Sequence, residues 1–158
     1  MNLTILSVKD EYGTPDGYLD TIWPSLKEAT FVDPFVLKSE NRIVKYWQKH
    51  KISHIESTGD FFEWTCPADC VVWSNPPFSK KRKIVNRLLS DKTRFLLLIP
   101  LQTLATKWLL ALVKSKAVDY TLLTDRLPFI CGGKPMARRP PFGLIWLYSL
   151  SYKLPLIV

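Results

Sequence analysis

Asn75-Pro76-Pro77-Phe78 places two hydrogen-bond acceptors, a rigid backbone and a flat apolar ring within four residues. The apolar run Cys70-Val71-Val72-Trp73 leads into it through Ser74, and the basic cluster Lys80-Lys81-Arg82-Lys83 follows, which predicts a strand, a polar turn and a helix. Pro76 and Pro77 hold two successive φ angles and push the preceding residues toward extended geometry, so the turn keeps its shape before any ligand arrives. Pro76 has no N–H, and its carbonyl and the Asn75 side-chain oxygen can aim at one point beyond the strand's carboxyl end, with Phe78 offering a face beside them. Two acceptors next to an aromatic face suit methylation of an exocyclic amino group whose lone pair is delocalised into a ring. Gripping both N–H bonds favours a tetrahedral nitrogen with its lone pair toward a methyl donor, so the catalysis comes from positioning and fixed dipoles more than from a strong base. A proline turn without chemistry reads the same locally, because Pro-Pro pairs are common punctuation.

The elements that must position this turn alternate along the chain. A helix is predicted from Asp16 to Glu28, with Tyr18, Leu19, Ile22 and Trp23 on one face and a kink at Pro24. The run from Ala29 to Phe35 reads as a short strand, Ser39 to about His50 as a helix capped by Ser39, and Ile52 to Ile55 as a second strand. After the central turn come a helix over Lys81 to Ser90, a buried parallel strand over Arg94 to Ile99 stopped by Pro100, and a helix over Thr103 to Lys116. Strand Tyr120 to Thr124, a loop from Asp125 to Pro141 and strand Gly143 to Leu150 predict an antiparallel pair. The pattern therefore predicts a three-layer α/β domain, its sheet mainly parallel and closed by a C-terminal antiparallel hairpin.

Length and composition narrow the class. The 158 residues suit a single domain over 1–158 with no separate target-recognition domain, and 47% hydrophobic with 23% charged residues is an ordinary globular balance. The N-terminus shows no basic start or long apolar run, no stretch reaches the length of a membrane span, and three cysteines form too odd and sparse a set for a disulfide framework, so a cytoplasmic protein is expected. Residues 1–75 carry 7 Lys and Arg against 11 Asp and Glu, a net of −4, while residues 76–158 carry 15 against 3, a net of +12. Such asymmetry points to a basic face for a polyanion such as DNA. Lys80, Lys81, Lys83, Arg87, Arg126, Lys134, Arg138 and Arg139 follow the turn or lie in the late loop, where phosphate contact is their natural role.

In an open α/β sheet, ligands bind outside the carboxyl ends of the strands. Asp33 closes the first predicted strand, Glu56 the second, and Asp60 lies in the turn before the third, all on the side of Asn75. A carboxylate after the second strand suits a pair of ribose hydroxyls and one after the next turn an adenine amino group, although acids also cap loops at strand ends. His50 and His54 with Cys66 and Cys70 have the residue types of a zinc site, but they fall on separate predicted elements, so no metal is expected.

Taken together, this order resembles the small phage- and virus-type DNA adenine-N6 methyltransferases, often grouped with Dam, over nearly the whole chain. Thr14-Pro15 resembles the family's N-terminal cofactor motif, Val32-Asp33-Pro34-Phe35 with Glu40-Asn41 its first strand and helix start, and Asp60-Phe61-Phe62 its acidic motif for the cofactor adenine. Asn75-Pro76-Pro77-Phe78 resembles the catalytic motif and Arg126-Leu127-Pro128-Phe129 the late loop motif near the target base. The resemblance implies a Rossmann-like fold dependent on S-adenosylmethionine, with Asn75 and the Pro76 carbonyl holding the amino group, Phe78 stacking on a flipped base and Phe129 as a further contact. It implies Thr14, Pro15, Asp33, Pro34, Phe35, Glu56, Asp60 and Phe61 on the cofactor side, and the host cytoplasm for a viral member. The chain departs from the pattern at Val36-Leu37-Lys38-Ser39, where many methyltransferases carry glycines. Cytosine N4, RNA and a protein glutamine stay open as acceptors, because the same tetrapeptide serves planar amino groups generally. A catalytically silent nucleic-acid-binding module of the same fold is the rival from another class.

Overall fold

A computed structural model describes residues 13–22, 29–35, 42–55, 61–131 and 134–150. Five strands form one sheet: β1 (Thr30–Val32), β2 (Cys70–Ser74), β3 (Arg94–Pro100), β4 (Val118–Leu123) and β7 (Leu144–Ser149), in the order β1-β2-β3-β7-β4. β1, β2 and β3 run parallel, with Val32 opposite Val72 and Ser74 opposite Leu97. β7 is antiparallel to both neighbours, pairing Pro100 with Leu144 on one side and Leu123 with Leu144 on the other. A small ribbon of β5 (Ile130–Cys131) and β6 (Lys134–Pro135) lies within the predicted late loop.

Each central strand is apolar on both sides because both faces of the sheet are covered. Side-chain alternation sends Phe31, Val71, Trp73, Leu96, Leu98, Leu144 and Trp146 to one face, where Tyr18 and Leu19 of α1 (Asp16–Leu19) and Ile43, Tyr46 and Trp47 of α2 (Arg42–Lys49) pack. Val32, Val72, Phe95, Leu97, Ile99, Ile145 and Leu147 go to the other, against Ile84, Val85 and Leu88 of α3 (Lys81–Ser90) and Leu109 of α4 (Lys107–Lys114). β7 is buried almost throughout, whereas β4 exposes Thr121 and Leu122, which explains why the later strand takes the interior and the earlier one the edge. Trp146 secures the first face further by donating its indole N–H to Thr21 Oγ1 at 3.1 Å.

Several elements are shorter than their sequence pattern. β1 stops at Val32 because the Phe35 N–H turns back to Asp33 Oδ1 at 2.9 Å. The predicted strand over Ile52 to Ile55 reaches the sheet through one parallel bridge, His54 beside Phe31, with Phe31 N–H to the Ser53 carbonyl and Ile55 N–H to the Phe31 carbonyl, both at 2.9 Å. Helix Asp16 to Glu28 is helical only to Leu19 before a turn over Asp20 to Ile22, and Trp23, Pro24 and Glu28 lie outside the described residues. Helix Thr103 to Lys116 divides into a 3₁₀ turn (Leu101–Ala105) and α4, broken where Thr106 takes extended geometry and donates its hydroxyl to the Thr103 carbonyl at 2.6 Å. α2, α3 and α4 all end on a left-handed lysine, Lys51 (φ 54), Lys92 (φ 55) and Lys116 (φ 61). The next N–H in each case returns to the last turn: Ile52 to Trp47, Thr93 to Leu88 and Ala117 to Leu112. These are Schellman closures without the usual glycine, so the stops are invisible to a search for Gly. Among the described residues no helix is long and apolar enough to cross a membrane.

Candidate active site

The parallel register fixes the first geometric fact of the site. With Val32 opposite Val72, continuation of the register sets Asp33 beside Trp73, one residue before Ser74 and two before Asn75, at the same carboxyl edge. β3 and β4 end at that edge and β7 begins there, so the connections after Pro100 and Leu123 and before Leu144 converge on it. Asn75 is half-buried, Pro76 buried, and Pro77 and Phe78 partly exposed. Pro77 has φ −53° and ψ 116°, and its carbonyl accepts the Lys80 N–H at 3.0 Å, opening a 3₁₀ turn over Phe78–Lys80 that runs directly into α3. Lys81 Nζ donates to the Phe78 carbonyl at 3.3 Å, which closes the turn from the other side. The Phe78 ring packs on the core below and meets Phe142 edge-on, centroids 6.0 Å apart at 75°.

Asp33 is a buried acid, 9% exposed. Burial pushes its carboxyl up to about 7, against the opposing pull of the Phe35 N–H and of the Ser74 hydroxyl. Ser74 Oγ is itself fully buried and makes no well-formed hydrogen bond among the described residues, so its support of the carboxylate is electrostatic and weaker than that of the Phe35 amide. Next to Asp33, Pro34 is buried, and Phe35 packs on Phe61 with centroids 4.8 Å apart. Phe61 in turn meets Phe62 edge-on at 5.2 Å. Asp33, Pro34, Phe35 and Phe61 are thus assembled into one wall: a carboxyl beside an aromatic pair. Glu56 and Asp60 lie outside the described residues. Thr14 and Pro15 are buried, held beside the late loop by the reciprocal backbone bonds of Gly13 and Ile130.

Two expectations change on inspection of the side chains. Arg87 faces inward and donates its guanidinium N–H groups to the Phe61 and Trp64 carbonyls. It also pairs with Asp91 at 3.2 Å and lies 5.0 Å over the Phe61 ring. It is therefore a clamp between α3 and the Phe61 segment and not a phosphate contact; its i,i+4 relation to Asp91 was visible in sequence, its carbonyl partners were not. Phe129 is 5% exposed, tilted against Tyr18 at 6.5 Å, so its ring is committed to the core and does not face a base. Of the remaining basic candidates, Lys80 and Lys83 are exposed and Lys81 partly so, with Lys80 Nζ 6.0 Å from the Phe62 ring. Arg126, Arg138 and Arg139 are exposed on the late loop. His54 and His50 stack on Trp47 and Tyr46, at 5.5 and 4.3 Å.

Replacing Arg87 with Met is expected to destabilise the protein by about 2 kcal/mol, since two charge-assisted bonds to buried carbonyls are lost and the exposure of the side chain reduces their value. Urea unfolding measures the loss, and amide exchange should show residues 61–64 opening first. Unchanged stability and unchanged exchange would mean that the clamp does not form in solution.

With this geometry in view, the chain aligns with a solved structure of a dimethyladenosine transferase from Plasmodium falciparum, with a TM-score of 0.54 and 11% identity, over 87% of this chain and 62% of that one. The two share a Rossmann-like α/β fold. The chain spans less than two thirds of that relative's length. No family model matches the sequence, and no curated protein matches it either.

Proposed function

We propose that the protein transfers a methyl group from S-adenosylmethionine to the N6 amino group of adenine in DNA. The observation that carries this reading is the shared carboxyl edge, where the parallel pairing of β1 and β2 brings the buried acid Asp33 alongside the Asn75-Pro76 acceptors. The cofactor-side residues fit the group chemically. Asp33 can accept hydrogen bonds from a polar, cationic ligand, and the partly exposed Phe35, backed by the buried Phe61, gives an apolar face suited to a flat base. When bound, S-adenosylmethionine supplies an electrophilic methyl on a sulfonium whose thioether is the leaving group.

The chain's own residues act on the acceptor. Asn75 Oδ1 and the Pro76 carbonyl accept from the two N–H bonds of the amino group, draw its lone pair out of the ring and aim it at the methyl carbon. As the N–C bond forms, the nitrogen becomes cationic, the two acceptors stabilise its N–H bonds, and one proton passes on to solvent. Phe78, beside Phe142, bounds the place of a base withdrawn from its strand. The structural likeness to a dimethyladenosine transferase supports adenine over cytosine as the base, and the +12 charge of residues 76–158 supports a nucleic-acid strand over a protein.

Incubation of purified protein with isotopically labelled S-adenosylmethionine and mixed-sequence DNA or RNA, followed by mass analysis of the nucleosides, tests the reading. Label in N6-methyldeoxyadenosine is expected. Label only in the RNA arm would reassign the substrate, label in cytidine the base, and no transfer at saturating cofactor would leave a binding module of the same fold.

A further inference from the structure

Tyr18 is buried, 1% exposed, yet its hydroxyl works at a distance of 109 residues along the chain. It accepts the Leu127 N–H at 2.6 Å and donates toward the Leu127 carbonyl at 3.3 Å. The same loop is held at its far end by the Gly13 and Ile130 backbone bonds, 2.7 and 2.9 Å, and by the Phe129 ring against Tyr18. Gly17 completes the seat, because a Cβ there would stand 2.5 Å from Leu127 Cδ1 and force that side chain away. Leu127 follows Arg126 directly, so the Tyr18 anchor holds the backbone beside that arginine, and Arg139 lies three residues before Phe142, whose ring meets Phe78. Both arginines are exposed, and no ion pair among the described residues engages either. The loop leaves β4, and Arg139 approaches β7, at the edge where Phe142 meets Phe78.

We infer that Tyr18 is a positioning residue for a polyanion-binding arginine, holding the late-loop backbone beside Arg126 so that this side chain, with Arg139 further along the same loop, grips a nucleic-acid backbone. The inference rests on the nucleic-acid reading above and adds Tyr18 to the substrate side. A long loop bearing two flexible cations binds poorly if it must be ordered on each encounter, and an anchor supplied in advance removes that entropic cost.

Tyr18→Phe removes the hydroxyl and keeps the ring, and Gly17→Ala moves the flexible tip of the Leu127 side chain. Anisotropy of a fluorescein-labelled, mixed-sequence single-stranded oligodeoxynucleotide, measured across a salt series, reads both variants. Tyr18→Phe is expected to bind roughly tenfold more weakly, with the log-affinity against log-salt slope flatter by about one to two contacts. Gly17→Ala, which moves only a side-chain tip, should have a smaller effect than Tyr18→Phe, and S-adenosylmethionine affinity should stay at the parental value in both. Partial unfolding lowers the fraction of protein that binds and leaves the slope alone, so the slope separates positioning from mere stability. A Tyr18→Phe protein with parental melting, affinity and slope would overturn the inference, as would a parent that binds the oligonucleotide at no salt concentration. Nucleoside analysis runs separately: absent methyl transfer with the slope change intact refutes the enzyme reading alone.

Discussion

An Asn75→Ala protein is expected to bind S-adenosylmethionine as the parent does and to transfer its methyl group two to three decades more slowly. Removal of one positioned acceptor at a transition state typically costs about 3 to 4 kcal/mol, and Asn75 is assigned to the acceptor amino group and not to the methyl donor. The supports of the turn that do not involve Asn75 stay in place. Pro76 remains buried, Lys80 N–H remains on the Pro77 carbonyl, and Phe78 remains against the core and Phe142. Single-turnover rates with saturating DNA and cofactor isolate the chemical step, and calorimetry checks cofactor binding. A folded Asn75→Ala protein that methylates near the parental rate would reduce the turn to scaffolding. Loss of cofactor binding along with rate would instead place Asn75 on the donor side.

Asp33→Asn should alter both stability and cofactor binding, in opposite senses. The folded carboxyl is raised to about 7 from an ordinary value of 3.8, so between those limits the native state holds more protons than the unfolded chain. Stability from this group is therefore fully present below about pH 4, falls as pH rises through about 7, and is level above it. The slope approaches about 1.4 kcal/mol per pH unit within that window, a total of a few kcal/mol. Asparagine carries no such titration, so Asp33→Asn should flatten the profile and melt higher than the parent at pH 8 in the absence of ligand. Its affinity for S-adenosylmethionine should fall tenfold or more, because a carboxylate acceptor is lost. In the parent, affinity should weaken as pH drops below about 7 and Asp33 takes up a proton, while the variant's affinity stays level. Matching melting profiles for parent and variant from pH 5 to 8 would refute the buried-acid assignment. A cofactor affinity unchanged by the substitution would take Asp33 out of the cofactor wall.

The amino-acid sequence by itself determined the local parts of this protein. The 3.6-residue period of Ile84, Val85 and Leu88 and the stop after Ser90 define α3, and the apolar runs that end at Ser74 and Pro100 define β2 and β3. Two prolines define the turn between β2 and α3, and the alternation of strands and helices was enough to foresee that the acid at the end of β1 and the asparagine after β2 share one carboxyl edge. These features depend on a few neighbouring residues, their φ restrictions and their side-chain alternation. Lysines in place of glycine at the helix ends, and Thr106 at a break within an apolar run, hid the helix boundaries, because a left-handed residue is held there by backbone bonds that no side chain announces. Only the tertiary structure decided that β7 enters between β3 and β4, that Phe129 faces inward, that Arg87 clamps the Phe61 segment and that Tyr18 carries the late loop. It also decided the state of Asp33, whose proton affinity depends on how completely α/β packing removes water from the end of β1. Choices of this kind compare the burial and polar satisfaction of segments far apart in the chain, a sum over the whole molecule that no local window contains.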